Sequence, residues 1–125
     1  MKELKLTATL TIIENENELS PEESKLVTEA KVATDKAYAP YSRFRVGCAL
    51  LTDNGNLLSG ANQENASYPA CICAENVTLS AARAQFPQEG IKMMAIATRS
   101  EGKALNPEPV APCGICRQSI LEHQN

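Results

Sequence analysis

The sequence contains no apolar run long enough to form a signal peptide or a transmembrane helix. It has no basic cluster either, and its net charge of -3 argues against binding to nucleic-acid phosphates. The five cysteines are odd in number and irregularly spaced, unlike the paired cysteines of a secreted disulfide framework. These absences predict a cytoplasmic protein with a small, neutral substrate and with no nucleic-acid or membrane partner.

A chain of 125 residues is long enough for one domain with a single hydrophobic core, which we place at residues 1–125. Within its first 19 residues, apolar side chains at every second position predict a half-buried strand, at Leu4, Leu6, Ala8, Leu10 and Ile12. We expect this N-terminal strand to cover a sheet edge or a neighbouring subunit.

A helix is predicted to follow from Ser20 to about Tyr38. Ser20 suits the N-cap, Pro21 the first helical position and Glu23 the capping box. Small and apolar residues spaced by three or four form a narrow stripe that should face the core, at Leu26, Ala30, Ala33 and Ala37.

Three strands are predicted in the rest of the chain. Apolar side chains alternate from Phe44 to Leu50, and a turn at 52–56 precedes a return strand at 57–61. A nearly continuous apolar run at 91–98 predicts a buried central strand. Strands and helices in this order predict a three-layer α/β sandwich with a mixed sheet and with helices on both faces.

Two short segments carry three thiols and a carboxylate, namely Cys73 with Glu75, and Cys113 with Cys116. This is the composition of a zinc site that keeps one coordination position open for water and has a proton carrier beside it. A helix that starts at Pro112 would place Cys113 and Cys116 on one face of its first turn, and Cys73 would open a second helix. The positive ends of both helix dipoles would then stabilise three thiolates around one zinc ion per chain.

Other arrangements of these cysteines remain open. Cys71 and the three cysteines above could form a closed structural site with four thiolates and no water. Single buried thiols and disulfides are further alternatives. We favour the open site, because a structural zinc site has no use for Glu75 or for the polar residues Asn62 and Glu64.

Four blocks of the sequence resemble the cytidine deaminases that bind zinc through three cysteines. The blocks are APYSRFRVG at 39–47, NQENASY at 62–68, CAE at 73–75 and PCGICRQ at 112–118. They follow the order of the family, which makes the resemblance far more specific than an isolated C-x-x-C motif. It implies a homotetrameric enzyme in which Cys73, Cys113 and Cys116 hold zinc and Glu75 is the catalytic acid and base.

Five further residues are expected to bind the nucleoside. Asn62 and Glu64 project to one side of an extended segment, where an amide and a carboxylate suit the hydroxyls of a ribose; a polar loop that meets only water is the simpler alternative. The resemblance gives this pair the same sugar-binding role. It also places Phe44 against the pyrimidine base, assigns the backbone of Ala74 to the base carbonyl, and lets Tyr68 reach a neighbouring subunit's site.

The reaction implied by the resemblance is hydrolytic deamination of cytidine or deoxycytidine to uridine or deoxyuridine and ammonia. Zinc is expected to lower the pKa of a bound water towards about 7, so that Glu75 can carry its proton to N3 while hydroxide attacks C4. Glu75 then protonates the departing amine, whose hydrogen bond the carbonyl of Ala111 accepts.

The sequence departs from the family pattern at residue 76. Many members carry Arg after the catalytic Glu, where its charge offsets that of the thiolates, but this chain has Asn76. Arg117, next to Cys116, is the side chain expected to donate hydrogen bonds to sulfur instead. Relatives that act on a nucleoside antibiotic also lack this Arg, so a blasticidin-like deaminase is an alternative, and an inactive zinc protein that binds nucleosides is another.

Members of the family continue beyond the last predicted helix with further strands and with an aromatic residue that helps to close a neighbouring site. We therefore expect the C-terminal part of the family fold to be absent from this sequence, either because the sequence is a fragment or because the lid is missing.

Overall fold

A computed structural model describes residues 1–124 of the chain; Asn125, the last residue of the predicted domain, lies outside the described residues. The longer elements are, in order, α1 (Pro21–Ala33), β1 (Phe44–Thr52), β2 (Leu57–Ala61), α2 (Ala74–Gln85), β3 (Ile91–Ser100) and α3 (Gly114–Glu122). Short 3₁₀ turns lie before α1, at Glu16–Glu18, and between the longer elements, at Thr34–Lys36 and Tyr68–Ala70. Within the described part of the chain, no helix has both the length and the apolar character needed to cross a membrane.

The strands form one sheet in the order β2-β1-β3. β1 pairs antiparallel with β2, where Gly47 lies opposite Ala61, and antiparallel with β3, where Phe44 lies opposite Ser100. The sheet described here is therefore antiparallel rather than mixed, because a tight turn reverses the chain after β1 and α2 then carries it to the other side of β1. β3 consequently lies at an edge of this sheet with mostly half-buried residues, not in the buried centre that its composition predicted.

α1 begins where the capping signal predicted. Ser20 Oγ accepts a hydrogen bond from the backbone N–H of Glu23 at 3.3 Å, and the Glu23 carboxylate accepts one from the N–H of Ser20 at 2.8 Å. The helix ends at Ala33, and a 3₁₀ turn replaces the predicted extension to Tyr38. The predicted apolar stripe is confirmed, because all of its members are buried: Leu26, Ala30, Ala33 and Ala37.

The helices cover both faces of the sheet, as predicted. On one face Leu26 of α1 packs in a cluster with Ala49. On the other face Leu79 of α2 and Ile120 of α3 pack around Leu50. Neighbouring residues of β1 thus point into opposite layers, and full burial of a side chain such as Leu50 stabilises the fold by about 2–3 kcal/mol.

Gly47 lets α1 approach β1 closely. A Cβ atom at this position would lie 2.1 Å from the backbone oxygen of Ala30 and 2.6 Å from the backbone nitrogen of Thr34. Both neighbours are backbone atoms that cannot rotate away, so any side chain here would push the helix off the sheet.

Residues 1–13 contain no strand, contrary to the prediction. The apolar side chains at the predicted inward positions are exposed, among them Leu4, Leu6, Leu10 and Ile12. A strand needs a neighbour that satisfies its backbone N–H and C=O groups, and no described segment pairs with these residues. The alternation in sequence is therefore not sufficient to form a strand within one chain.

Candidate metal and catalytic site

The cysteines of the predicted zinc site stand at two helix N-termini. Cys73 has the extended backbone of an N-cap residue before α2 (φ -67°, ψ 151°), and Cys113 has the same role before α3 (φ -66°, ψ 169°). Cys116 lies in the first turn of α3 and is fully buried. α3 therefore starts at Gly114, two residues later than predicted, and both helix dipoles favour negative charge at the sulfurs.

The Sγ atoms of Cys73, Cys113 and Cys116, here called the sulfur cluster, lie within 4.8 Å of one another. Those of Cys113 and Cys116 are 3.5 Å apart. Two ligands in a tetrahedral site with zinc–sulfur bonds of about 2.3 Å are separated by about 3.8 Å. The sulfur cluster therefore fits a zinc ion with three thiolate ligands and one further position.

Cys71 does not join the sulfur cluster. It is exposed, and its Sγ accepts a hydrogen bond from the backbone N–H of Asn65 at 3.3 Å. The candidate ligand group found in residues 1–124 thus has three thiols rather than four. This arrangement favours the open site over the closed structural one.

We expect a Cys71→Ser variant to retain its metal, because the Cys71 sulfur lies outside the candidate ligand group. Zinc content after dialysis, measured by elemental analysis, checks this expectation. Cys113→Ser is the matched control, since it removes one thiol from the sulfur cluster and should release the metal. Loss of zinc from the Cys71 variant would instead indicate a four-thiol structural site.

The three thiols differ in their readiness to ionise. Burial raises the pKa of Cys116, and its hydrogen bond with Cys113 and the negative charge of Glu75 raise this pKa further. Burial also raises the pKa of Cys73, whereas hydrogen bonds from the backbone and side chain of Cys116 lower that of Cys113. A divalent cation bound at the sulfur cluster would lower these pKa values and allow all three sulfurs to act as thiolates.

Glu75 occupies the second position of α2 and is only 5% exposed. It lines a cavity of about 530 Å³ together with Cys73 and Ala74, and the apolar part of the wall includes Val46 and Ile96. This volume lies within the range of small-molecule sites. A buried carboxylate beside the sulfur cluster can therefore exchange protons with a molecule bound in the cavity.

Asn62 lines the same cavity, but its amide is also part of the fold. Its Nδ2 donates to the backbone carbonyl of Phe44 at 3.0 Å, and its Oδ1 accepts from the backbone N–H of Val46 at 2.8 Å. The side chain thus continues the contact between β1 and the chain beyond the end of β2.

Glu64 lines the cavity and holds the turn before β1. Its Oε1 accepts hydrogen bonds from the backbone N–H groups of Tyr41 at 3.0 Å and Ser42 at 3.1 Å. Desolvation is the largest influence on the pKa of Glu64 and raises it, but the hydrogen bonds from Ser42 and Tyr41 together lower the pKa. An anionic carboxylate is therefore available at the cavity wall.

The other predicted substrate-binding residues are divided between two places. Ala74, Tyr68 and Ala111 line the cavity. Phe44 is half-buried and lines a separate cavity of about 380 Å³. Phe44 is thus absent from the lining of the first cavity, whereas Val46, two residues further along the same side of β1, lines it.

Arg117 was expected to donate a hydrogen bond to sulfur, but it donates to a backbone carbonyl oxygen. Arg117 is exposed, and its Nε donates to the carbonyl oxygen of Pro112 at 2.9 Å, which closes the turn before α3. Asn76 instead directs its Nδ2 to the Sγ of Cys116 at 3.5 Å. Sequence reasoning missed this contact, although the spacing of three between Cys73 and Asn76 was a signal that both share one helix face.

Comparison with known proteins agrees with this geometry. The sequence model of one protein family, the cytidine and deoxycytidylate deaminase zinc-binding region, matches residues 20–124 of this chain. A cytidine deaminase from Sporosarcina psychrophila is 41% identical over 101 residues, which are 81% of this chain and 69% of that protein. One from Halalkalibacterium halodurans is 44% identical over 97 residues, which are 78% and 68% of the two chains.

Solved structures agree as well. The cytidine deaminase from Mycobacterium tuberculosis superposes with a TM-score of 0.72 at 35% identity, over 84% of this chain and 80% of that one. The enzyme from Burkholderia pseudomallei gives a TM-score of 0.69 at 44% identity, over 79% and 74%. Because sequence, fold and sulfur cluster all agree, the chain belongs to the zinc-binding cytidine deaminase family.

Proposed function

We propose that the chain catalyses the zinc-dependent hydrolytic deamination of cytidine or deoxycytidine to uridine or deoxyuridine and ammonia. The observation that carries this proposal is that Cys73 of the sulfur cluster and the buried Glu75 line one cavity. A zinc site that only stabilises a fold needs neither the carboxylate nor the cavity. Membership of the family supports the same reaction, since the relatives named above are cytidine deaminases.

Cys73, Cys113 and Cys116 would hold the zinc ion. Their sulfurs are close enough to share a tetrahedral metal, and the two helix N-termini stabilise negative charge there. When bound, zinc supplies the Lewis acidity that makes water a nucleophile near neutral pH.

Glu75 carries the protons of the reaction. Its carboxylate accepts one proton from the attacking water and passes it to N3 of the base as the water oxygen bonds to C4. It then carries the second water proton to the exocyclic amine. The C4–N bond breaks, its electron pair leaves with ammonia, and the carbonyl at C4 of the product forms. Both water protons are thus accounted for, one on N3 and one in ammonia.

Backbone groups at the cavity would orient the base. The N–H of Ala74 belongs to the first turn of α2, where no intrahelical acceptor exists, so it can donate to the carbonyl of the pyrimidine. The carbonyl of Ala111 can accept a hydrogen bond from the amine that leaves. Both interactions depend on the position of the backbone and not on the identity of the side chain.

We infer that Glu64 binds the ribose, because its carboxylate lines the cavity. A Glu64→Gln variant keeps an oxygen for Tyr41 and Ser42 but loses the negative charge. We expect it to raise the KM for cytidine by about tenfold or more, because a hydrogen bond to a charged group contributes about 1.5–3 kcal/mol. Action on free cytosine, which has no ribose, should remain at the parent level.

Steady-state kinetics with cytidine and cytosine separate two roles for Glu64. Equal losses with both substrates would show that Glu64 acts through the turn before β1 and not through the sugar. Asn62→Ala is the comparison, since the Asn62 amide is bound to the backbone of Phe44 and Val46 and its loss should impair both substrates alike.

A spectrophotometric assay tests the proposed function directly. When purified, zinc-loaded protein is added to cytidine, the absorbance of the solution should fall over time towards that of uridine. Ammonia should appear in an amount equal to the cytidine consumed. A chelator should stop the reaction, and added zinc should restore it. Binding of cytidine without any change in absorbance would indicate a nucleoside-binding protein instead.

We further propose a homotetramer in the cytoplasm that takes part in pyrimidine salvage. Tyr68 supports the assembly, because it is 85% exposed and stands beside the cavity, where its ring is accessible to a second subunit. The five cysteines support a reducing compartment, because none is paired in residues 1–124 and the sulfur cluster needs free thiols to bind zinc.

A further inference from the structure

Asn76 directs its side-chain amide at the buried end of the sulfur cluster. Its Nδ2 atom lies 3.5 Å from the Sγ of Cys116, within hydrogen-bonding distance for a sulfur acceptor. Asn76 is half-buried in the first turn of α2, three residues after Cys73, so the helix fixes its position relative to the cluster. The NH₂ group of the amide faces a thiolate more favourably than the amide oxygen does, since the NH₂ group offers two hydrogen-bond donors.

Cys116 needs such a donor more than the other two cysteines do. It is fully buried, whereas Cys73 and Cys113 are exposed. Water can stabilise negative charge on the exposed sulfurs, but charge on Cys116 depends on protein donors. The nearby Glu75 is also buried, and its carboxylate adds a second acidic group to the same region.

The cationic side chain next to Cys116 in sequence is hydrogen-bonded elsewhere. Arg117 follows Cys116 in sequence, but its Nε is bound to the carbonyl of Pro112 and the side chain is exposed. Across residues 1–124, the side-chain nitrogen that is hydrogen-bonded to the sulfur cluster belongs to Asn76.

We propose that Asn76 is a positioning residue of the metal site, whose amide N–H holds the Cys116 thiolate in place and withdraws electron density from it. Three unassisted thiolates make a bound metal a weak Lewis acid, and a hydrogen bond to one of them reduces this effect. The inference rests on the proposed zinc site. It assigns a role to a residue that acts on the metal through a ligand.

Cobalt(II) in place of zinc tests this role through the sulfur-to-cobalt charge-transfer band. Asn76→Leu removes the donor at similar volume, so the band should move to longer wavelength, because an unassisted thiolate gives up electron density more readily. The affinity for zinc, measured by competition with a chromophoric chelator, should fall by about tenfold. Asn76→Asp adds a negative charge beside the sulfur and should lose more affinity, whereas Asn76→Arg restores a donor and should return the band towards that of the parent.

Gln85→Leu is the matched control, because it removes an amide from the exposed last turn of the same helix and should change neither readout. A parent-like band and affinity in both Asn76→Leu and Asn76→Asp would overturn the role of Asn76 and leave the proposed zinc site intact. A parent protein that binds neither cobalt nor zinc would overturn both proposals.

Discussion

Glu75→Gln is expected to reduce kcat for cytidine by about 10³–10⁴-fold, because an amide cannot carry the protons that hydrolysis moves. The substitution preserves size, and Glu75 lies outside the candidate ligand group, so the variant should keep its zinc. Binding should persist too, since the cavity keeps its shape. The measurements are the rate of absorbance change, the zinc content and the affinity for cytidine by calorimetry.

Glu122→Gln is the control for this experiment, since it neutralises an exposed carboxylate at the end of α3. It should react at the parent rate. A Glu75→Gln variant that keeps both its zinc and an undiminished rate would remove Glu75 from the reaction and leave the cavity without an identified proton carrier.

Gly47→Ala is expected to lower the free energy of unfolding by about 3 kcal/mol or more. The new methyl group would lie 2.1 Å from the backbone oxygen of Ala30, so either β1 or α1 must move to admit it. A loss of this size is a large part of the stability of an ordinary domain. Denaturant unfolding of the zinc-loaded protein, followed by circular dichroism, measures it.

Gly114→Ala makes the same chemical change where, apart from its chain neighbours and the backbone of its own helix, no atom lies within 4 Å of the new Cβ. The first position of α3 favours alanine over glycine, so this variant should unfold at or slightly above the parent midpoint. Equal midpoints for the Gly47 and Gly114 variants would contradict the close packing of α1 on β1.

Local signals predicted the parts of the fold that local forces decide. The capping box of Ser20 and Glu23 formed as expected, because its donors and acceptors are three residues apart. The spacing of Cys113 and Cys116 predicted two sulfurs at one helix start for the same reason. The meeting of these two with Cys73 rested on the family resemblance as much as on spacing.

Contacts between distant segments decided the features that the sequence did not predict. The strand proposed within residues 1–19 lacks a pairing partner, which no alternation of Leu and Thr can supply. Phe44 and Val46 share one side of β1, but only the fold determines which of them meets the cavity. Arg117 was expected at sulfur because of its charge, yet its position in the turn before α3 favours the carbonyl of Pro112.

The position of Cys113 and Cys116 at the start of α3 has a consequence for the order in which the molecule opens. Cys116 is the fully buried side chain of this helix, and the chain that leads to it from β3 is largely exposed. A metal shared with Cys73 joins segments about forty residues apart. Without such a cross-link, bringing the two ends of a loop of that length together costs about 4 kcal/mol of chain entropy. Bound zinc would therefore hold α3 in its folded position. Removal of the zinc would let α3 unfold before the sheet and α1 begin to unfold.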